Sequence, residues 1–192
     1  MKIDGPFALP AEWSATSASL VAGSETSIDK AKKIYAYLEP KVATREDPEW
    51  AKLSQTIGAR SGQQDPQIAS AAFVALCRQQ RIPARLVWGI RLPQEGDDLN
   101  AQTAHGWAQF FDSRYGWVAV DLMSAAKKDD PRHAKMNIGK LDPYRIAFAA
   151  MEWPSSKPRT DDKLSICTLT IDGEPASVPA WKEKWKFDYA KE

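Results

Sequence analysis

Two histidines, two cysteines and a scatter of carboxylates are the side chains of this sequence best suited to chemistry. The spacing of His105 and Asp121 says most. His105 to Phe111 and Gly116 to Leu122 read as two strands, with Asp112-Ser113-Arg114-Tyr115 as the turn between them. If the turn centres on Ser113, His105 falls directly across the ladder from Asp121 on one face, with Cβ atoms roughly 4.5–5.5 Å apart. A single bulge would break that match. Asp121 would then accept a hydrogen bond from one imidazole nitrogen and fix the tautomer, leaving the other nitrogen outward as a base. The same two residues would equally serve as a structural His–Asp pair at a strand end.

The elements that must position this pair are legible around it. Thr26-Ser27-Ile28-Asp29 has the hydroxyl and carboxylate of a helix start, and Ile28, Ala31, Ile34, Tyr35 and Leu38 follow at helical spacing. An amphipathic helix is predicted from about Ile28 to Glu39. Gly5 to Trp13 reads as an irregular or extended lead-in. Val42 to Gly62 is polar and mixed, with Trp50, Leu53 and Ile57 as a short helical face. Asp65-Pro66 is a strong helix start, because Asp caps free N–H groups and Pro fits the first turn. The apolar residues from Ile68 to Cys77 then surround the axis, which predicts a central buried helix ending near Gln80, before Ile82-Pro83. Ala84 to Leu92 alternates as a strand. Pro93 to Thr103 and Ser124 to Lys140 read as loops, and Arg145 to Trp153 and Leu164 to Ile171 as further strands. The tail, Trp181 to Glu192, reads as a short helix or a strap over the sheet. Helices followed by strands predict an α+β fold with an antiparallel sheet packed on the central helix.

The 192 residues fit one domain spanning 1–192, with its core at about 28–123 and its C-terminal strands and tail at 124–192. A net charge of +1 gives no basic field to draw in nucleic acid. No run approaches the roughly 18 apolar residues of a membrane span. Met1 to Pro10 has no apolar core of a signal peptide, although a mature fragment trimmed of its leader would read the same way. Two cysteines are too few for a disulfide framework.

Three further pieces set the His–Asp pair in context. Arg81-Ile82-Pro83-Ala84-Arg85 follows the buried helix, His105-Gly106-Trp107-Ala108 opens the next strand, and Tyr115-Gly116-Trp117-Val118-Ala119-Val120-Asp121 closes the hairpin. In this order they resemble the core of the transglutaminase-like superfamily, a papain-like fold. Its members show a Cys-headed helix, a Gly-Ile-Pro-Ala-Arg strand start, a His-Ala-Trp strand and a Gly-Trp-Val-Pro-Val-Asp strand. The likeness covers about Ile28 to Met123, and Asn137 to Phe148 resembles the tail of some bacterial members. The resemblance implies that His105 and Asp121 stand at the catalytic His and Asp positions. Arg81, Gly106 and Ala119 replace the family's usual Gly, Ala and Pro without touching the chemistry.

The resemblance also implies a nucleophilic cysteine at the start of the buried helix, and this sequence has none there. Counting back from Pro83 lands on Pro66. Aligning on Gly62 lands on Gln64, with Asp65 adjacent. Cys77 lies three helical turns, roughly 16 Å, beyond that point and reads as a small buried hydrophobe. Cys167 falls in a late strand, where it is expected to pack. His133 sits in a charged loop and reads as solvated. No metal-ligand spacing and no cofactor motif is present, so none is expected. Trp88, Trp107 and Trp117 read as core residues or cleft walls. Lys182, Lys184 and Lys186, with Trp181 and Trp185, read as a solvated face. The expected function is a transglutaminase-like domain inactive as a transglutaminase or cysteine protease, binding an unidentified protein, peptide or glycan or serving as a structural module. The alternative is a hydrolase or transferase using a repurposed His105–Asp121 site.

Overall fold

The computed structural model describes residues 9–44, 47–61, 68–91, 103–122, 138–141, 145–151, 170–171 and 174–175. Four helices come first: α1 (Ala11–Leu20), α2 (Ser27–Thr44), α3 (Pro48–Ser61) and α4 (Ile68–Gln79). The strands β1 (Ala84–Arg91), β2 (Thr103–Asp112), β3 (Gly116–Val120) and β4 (Arg145–Met151) form an antiparallel sheet in the order β3-β2-β1-β4. Two short pieces, β5 (Thr170–Ile171) and β6 (Glu174–Pro175), pair separately. The architecture is α+β, with helices grouped against an antiparallel sheet, as a papain-like core requires.

α4 is the centre of the molecule. Every residue from Ala69 to Cys77 is buried, as an all-round apolar helix must be. The sheet face carrying Leu86, Ala108, Phe110, Val118 and Val120 joins it in one core, and the Phe73 and Phe110 rings meet at 6.2 Å and a 60° tilt. Asp65, Pro66 and Gln64, where the sequence predicts the start of this helix, lie outside the described residues.

The helix starts follow capping chemistry. Thr26 Oγ1 accepts the Asp29 N–H at 3.2 Å and donates to the Asp29 carboxylate at 2.6 Å, so α2 begins where the sequence places it. It runs on to Thr44, past Glu39, with Pro40 inside the helix. α3 is a full fourteen-residue helix, longer than the short face expected from Trp50, Leu53 and Ile57. Asp47 Oδ1 accepts the Glu49 and Trp50 N–H groups at 2.9 and 3.0 Å, and Pro48 takes the first helical position. α1 corrects the irregular lead-in: its helix begins inside that segment, at Ala11. It is anchored by polar contacts that leave no apolar stripe in the sequence. Ser14 donates to Gln79 at 2.8 Å, buried Ser17 donates to the Leu76 carbonyl at 3.2 Å, and Gln80 donates to Ser17 at 2.8 Å.

α4 ends in a Schellman motif. The Ile82 N–H donates to the Cys77 carbonyl at 3.1 Å and the Arg81 N–H to the Arg78 carbonyl at 3.0 Å, with Arg81 at φ 58°. This left-handed position strains a residue with a Cβ by roughly 1–2 kcal/mol, while a glycine here is unstrained but loses more backbone entropy on folding. The glycine that the resemblance expects before Ile82-Pro83 therefore has a conformational reason. Arg81→Gly is expected to raise unfolding stability by about 0.5–1 kcal/mol, and Arg81→Val to lower it, as read from urea midpoints.

Candidate functional site

A tight turn sets the β2–β3 register. Asp112 pairs with Gly116 around Ser113, Arg114 and Tyr115. The Arg114 N–H donates to Asp112 Oδ1 at 2.9 Å, and Gly116 takes φ 73°, a conformation glycine adopts without steric cost. The turn thus centres on Arg114, one residue later than expected, and Ala108 faces Val120. Extended by one residue, this register sets Asp121 level with Trp107. His105 and Asp121 are diagonal neighbours rather than direct ones. Diagonal positions on one face are roughly 7–8 Å apart, within reach of an imidazole and a carboxylate. His105 Nε2 lies 2.6 Å from Asp121 Oδ2.

A third group completes the cluster. Arg145, at the start of β4, donates from Nη1 to the same Asp121 Oδ2 at 2.5 Å. The Asp121 side chain has no exposure, Arg145 has 4% and His105 has 12%. An ionised carboxylate at that depth is tolerable because the guanidinium charge meets it. Trp107 stacks on His105 with ring centroids 6.3 Å apart and a 24° interplanar angle, and Arg145 lies 5.8 Å from the Trp107 ring centre. Tyr35 approaches from α2. Burial is the main cause that pushes its phenol pKa up, with the charges of Glu39 and Asp121 adding to it.

Arg145 reaches Asp121 because β4 folds close over β1. Gly89 lies opposite His105 on β2 and Ala147 on β4, where the β1–β4 register shifts. A Cβ at Gly89 would stand 1.9 Å from the Ile146 carbonyl oxygen and 3.0 Å from the Trp107 ring. Only glycine allows this approach. On the other side, buried Ser70 in the first turn of α4 donates to the Gly106 carbonyl at 3.3 Å, tying the first turn of the buried helix to the backbone of the residue after His105.

The family model of the transglutaminase-like superfamily matches residues 14–122. The chain belongs to that superfamily. Comparison with curated proteins and with solved structures gives no significant match. In this transglutaminase-like chain the structure joins His105 and Asp121, both within the matched residues, by a hydrogen bond. The match ends at Leu122, so Arg145 lies beyond it.

The remaining candidates are placed as follows. Cys77 is fully buried in α4, and burial pushes its thiol pKa well up, away from the thiolate needed for nucleophilic attack. Cys167 and His133 lie outside the described residues, as do Lys182, Lys184, Lys186, Trp181 and Trp185. Of the three tryptophans, Trp107 touches His105. Trp88 is buried and pairs with Gly106, so it sits on the opposite sheet face from His105. Trp117 is 40% exposed near the hairpin tip, packed edge-on against Phe111 with the Arg85 guanidinium 3.8 Å from its ring centre. A surface depression of about 520 Å³ lies around the start of α2, between Gly23 and Lys33, and includes none of the site residues. Among the described residues no helix is long and apolar enough to cross a membrane, and no three His, Cys, Asp or Glu side chains form a metal-ligand group.

Asp121 is thus as much a structural residue as a candidate catalytic one. Asp121→Ala leaves Arg145 buried without its carboxylate and is expected to cost about 3–5 kcal/mol, as for other broken buried pairs. His105→Ala removes a partly exposed ring whose loss leaves the Asp121–Arg145 ion pair intact, and should cost about 1–2 kcal/mol. Denaturant unfolding of the two variants compares them directly. Cys77 should resist iodoacetamide in the native protein and react only after unfolding, as followed by intact mass.

Proposed function

We propose that this transglutaminase-like domain works without a cysteine nucleophile and neither crosslinks nor cleaves peptide bonds. It serves instead as a binding or structural module, taking a protein, peptide or glycan at the inherited site. The supporting observation is the state of the cysteines. The chain has two, Cys77 and Cys167. Cys77 is sealed in the core, and Cys167 lies beyond the residues that match the family. Acyl transfer by this family's chemistry needs a thiolate at a helix N-terminus beside the imidazole, where the helix dipole and the His lower its pKa. Position counting puts Pro66 or Gln64 there, and neither supplies a nucleophile.

One observation favours a second reading. The His105–Asp121 hydrogen bond at 2.6 Å has the form of a general-base dyad, which would activate water or a hydroxyl in a hydrolase or transferase. Arg145 weighs against it, because the Asp121 oxygen that would orient the imidazole is already shared with a guanidinium. Amine-incorporation, peptidase and esterase assays on the purified chain test both readings. Wild type, His105→Ala and Cys77→Ala are expected to be indistinguishable from the buffer blank. Turnover that disappears in His105→Ala and persists in Cys77→Ala would overturn the binding reading in favour of a repurposed dyad.

A further inference from the structure

We propose that the tip of the β2–β3 hairpin docks an acidic peptide in extended form, which pairs antiparallel with the open edge of β3 and sets a carboxylate on Arg85. The surface is separate from the inherited site. Phe111 lies six residues along β2 from His105, roughly 20 Å in a strand. The proposal therefore does not depend on how His105 is used.

The side chains come first. Of the four large apolar side chains exposed among the described residues, Phe111, Tyr115 and Trp117 belong to this one hairpin. Such a concentration marks a contact surface, whereas scattered exposed residues do not. The strand register puts Phe111, Trp117, Gln109 and Arg85 on one face, opposite the face that carries Phe110 and Val118 into the core. Arg85 reaches across β2, so that its guanidinium lies 3.8 Å from the Trp117 ring centre, and its Nε donates to Gln109 Oε1 at 2.9 Å. These contacts leave its two Nη groups, which can grip a carboxylate with paired hydrogen bonds. Arg114 and Lys140 are exposed at the same end of the sheet. Among the described residues none of these three cations has a carboxylate partner. Asp112 is buried and accepts the Arg114 N–H. The charge left on this face is positive and complements an acidic partner.

The backbone supplies the second half. β3 is an edge strand. The Phe111 N–H turns away from it and donates to the Pro83 carbonyl at 2.8 Å, so Phe111 and Trp117 face each other without exchanging hydrogen bonds. The Trp117 N–H and C=O therefore point out of the sheet. Two residues on, the Ala119 carbonyl points the same way and accepts the Gly139 N–H at 2.8 Å. Among the described residues nothing covers the Trp117 pair in that manner. A strand laid antiparallel against Trp117 gains two main-chain hydrogen bonds there. The residue opposite Trp117 then has its side chain on the aromatic face, beside the Arg85 guanidinium. A sugar ring can also stack on Trp117, but an N–H and C=O pair on a strand edge is the complement of another strand.

NMR titration of the nitrogen-15-labelled full chain tests this. The probe is an eight-residue peptide alternating Glu and Val, acetylated and amidated at its ends. Its addition is expected to shift the amides of Trp117 and its neighbours and the Arg85 Nε signal. Trp117→Thr and Arg85→Gln, both at the surface, should each weaken binding about tenfold or more. Methylating the peptide's Glu amide nitrogens should abolish it, and the Lys and Val counterpart should not bind. Absence of shifts at millimolar peptide overturns the proposal, as does equal binding of the Lys peptide or of the methylated peptide. Unchanged affinity in either folded variant also overturns it. A uronic-acid oligosaccharide that shifts the same signals where the Glu peptide does not would make this a carbohydrate surface and overturn the peptide assignment.

Discussion

A single buried carboxylate organises this site. Asp121 stands just beyond β3, and its Oδ2 is met by Arg145 from β4 and His105 from β2, in a four-stranded sheet of order β3-β2-β1-β4. Taking a carboxylate out of water is costly, by several kcal/mol after relaxation, unless an opposite charge and hydrogen bonds replace the water. Arg145 supplies the charge, and the two donors occupy the oxygen. The strands that bring these groups together must keep their register and their curl, or the carboxylate is stranded. The position of β4, the glycine at 89 and the diagonal setting of His105 all serve that requirement.

The same interaction separates structure from chemistry within a family motif. A His–Asp pair can persist because it catalyses or because its Asp is needed by something else. Here the Asp also meets Arg145, so its place in the buried site has a structural reason beside any catalytic one. The Asp121–Arg145 ion pair is a physical reason for Asp121 to be buried there, and Asp121 in turn holds His105. The fold family follows from the sequence match over residues 14–122. Function does not follow from the fold alone. It rests on the sealed Cys77 and on which groups surround the imidazole.

Much of this was legible before the structure. The all-round apolar run from Ile68 to Cys77 gave the central helix, the alternation in Ala84–Arg91 and His105–Phe111 gave strands, and Thr26 with Asp29 gave a helix start, because each rests on local periodicity or capping. The pairing of His105 with Asp121 was legible too, although the register was offset: Gly116 in a left-handed conformation ends a three-residue loop and moves the centre of the turn to Arg114. Of the three missing pieces, α1, α3 and the role of Arg145, two had no local signature. α1 is held by Ser14 and Ser17 against the far end of α4, contacts between residues about sixty positions apart. α3 could have been found from Asp47-Pro48, the same start signal that marks Asp65-Pro66. Arg145 could not, because its partnership depends on β4 passing over Gly89, and nothing in the residues around Arg145 encodes a carboxylate 24 positions away.

The most direct test is a double-mutant cycle between Asp121 and Arg145, using Asp121→Ala, Arg145→Met and the pair, with unfolding free energies from denaturant titration. If the buried carboxylate and guanidinium depend on each other, the double variant will be more stable than the sum of the single losses by about 2–3 kcal/mol, within the range for residues in one network. Additive losses, with a coupling near zero, would contradict the dependence and return Asp121 to the role of a partner for His105 alone.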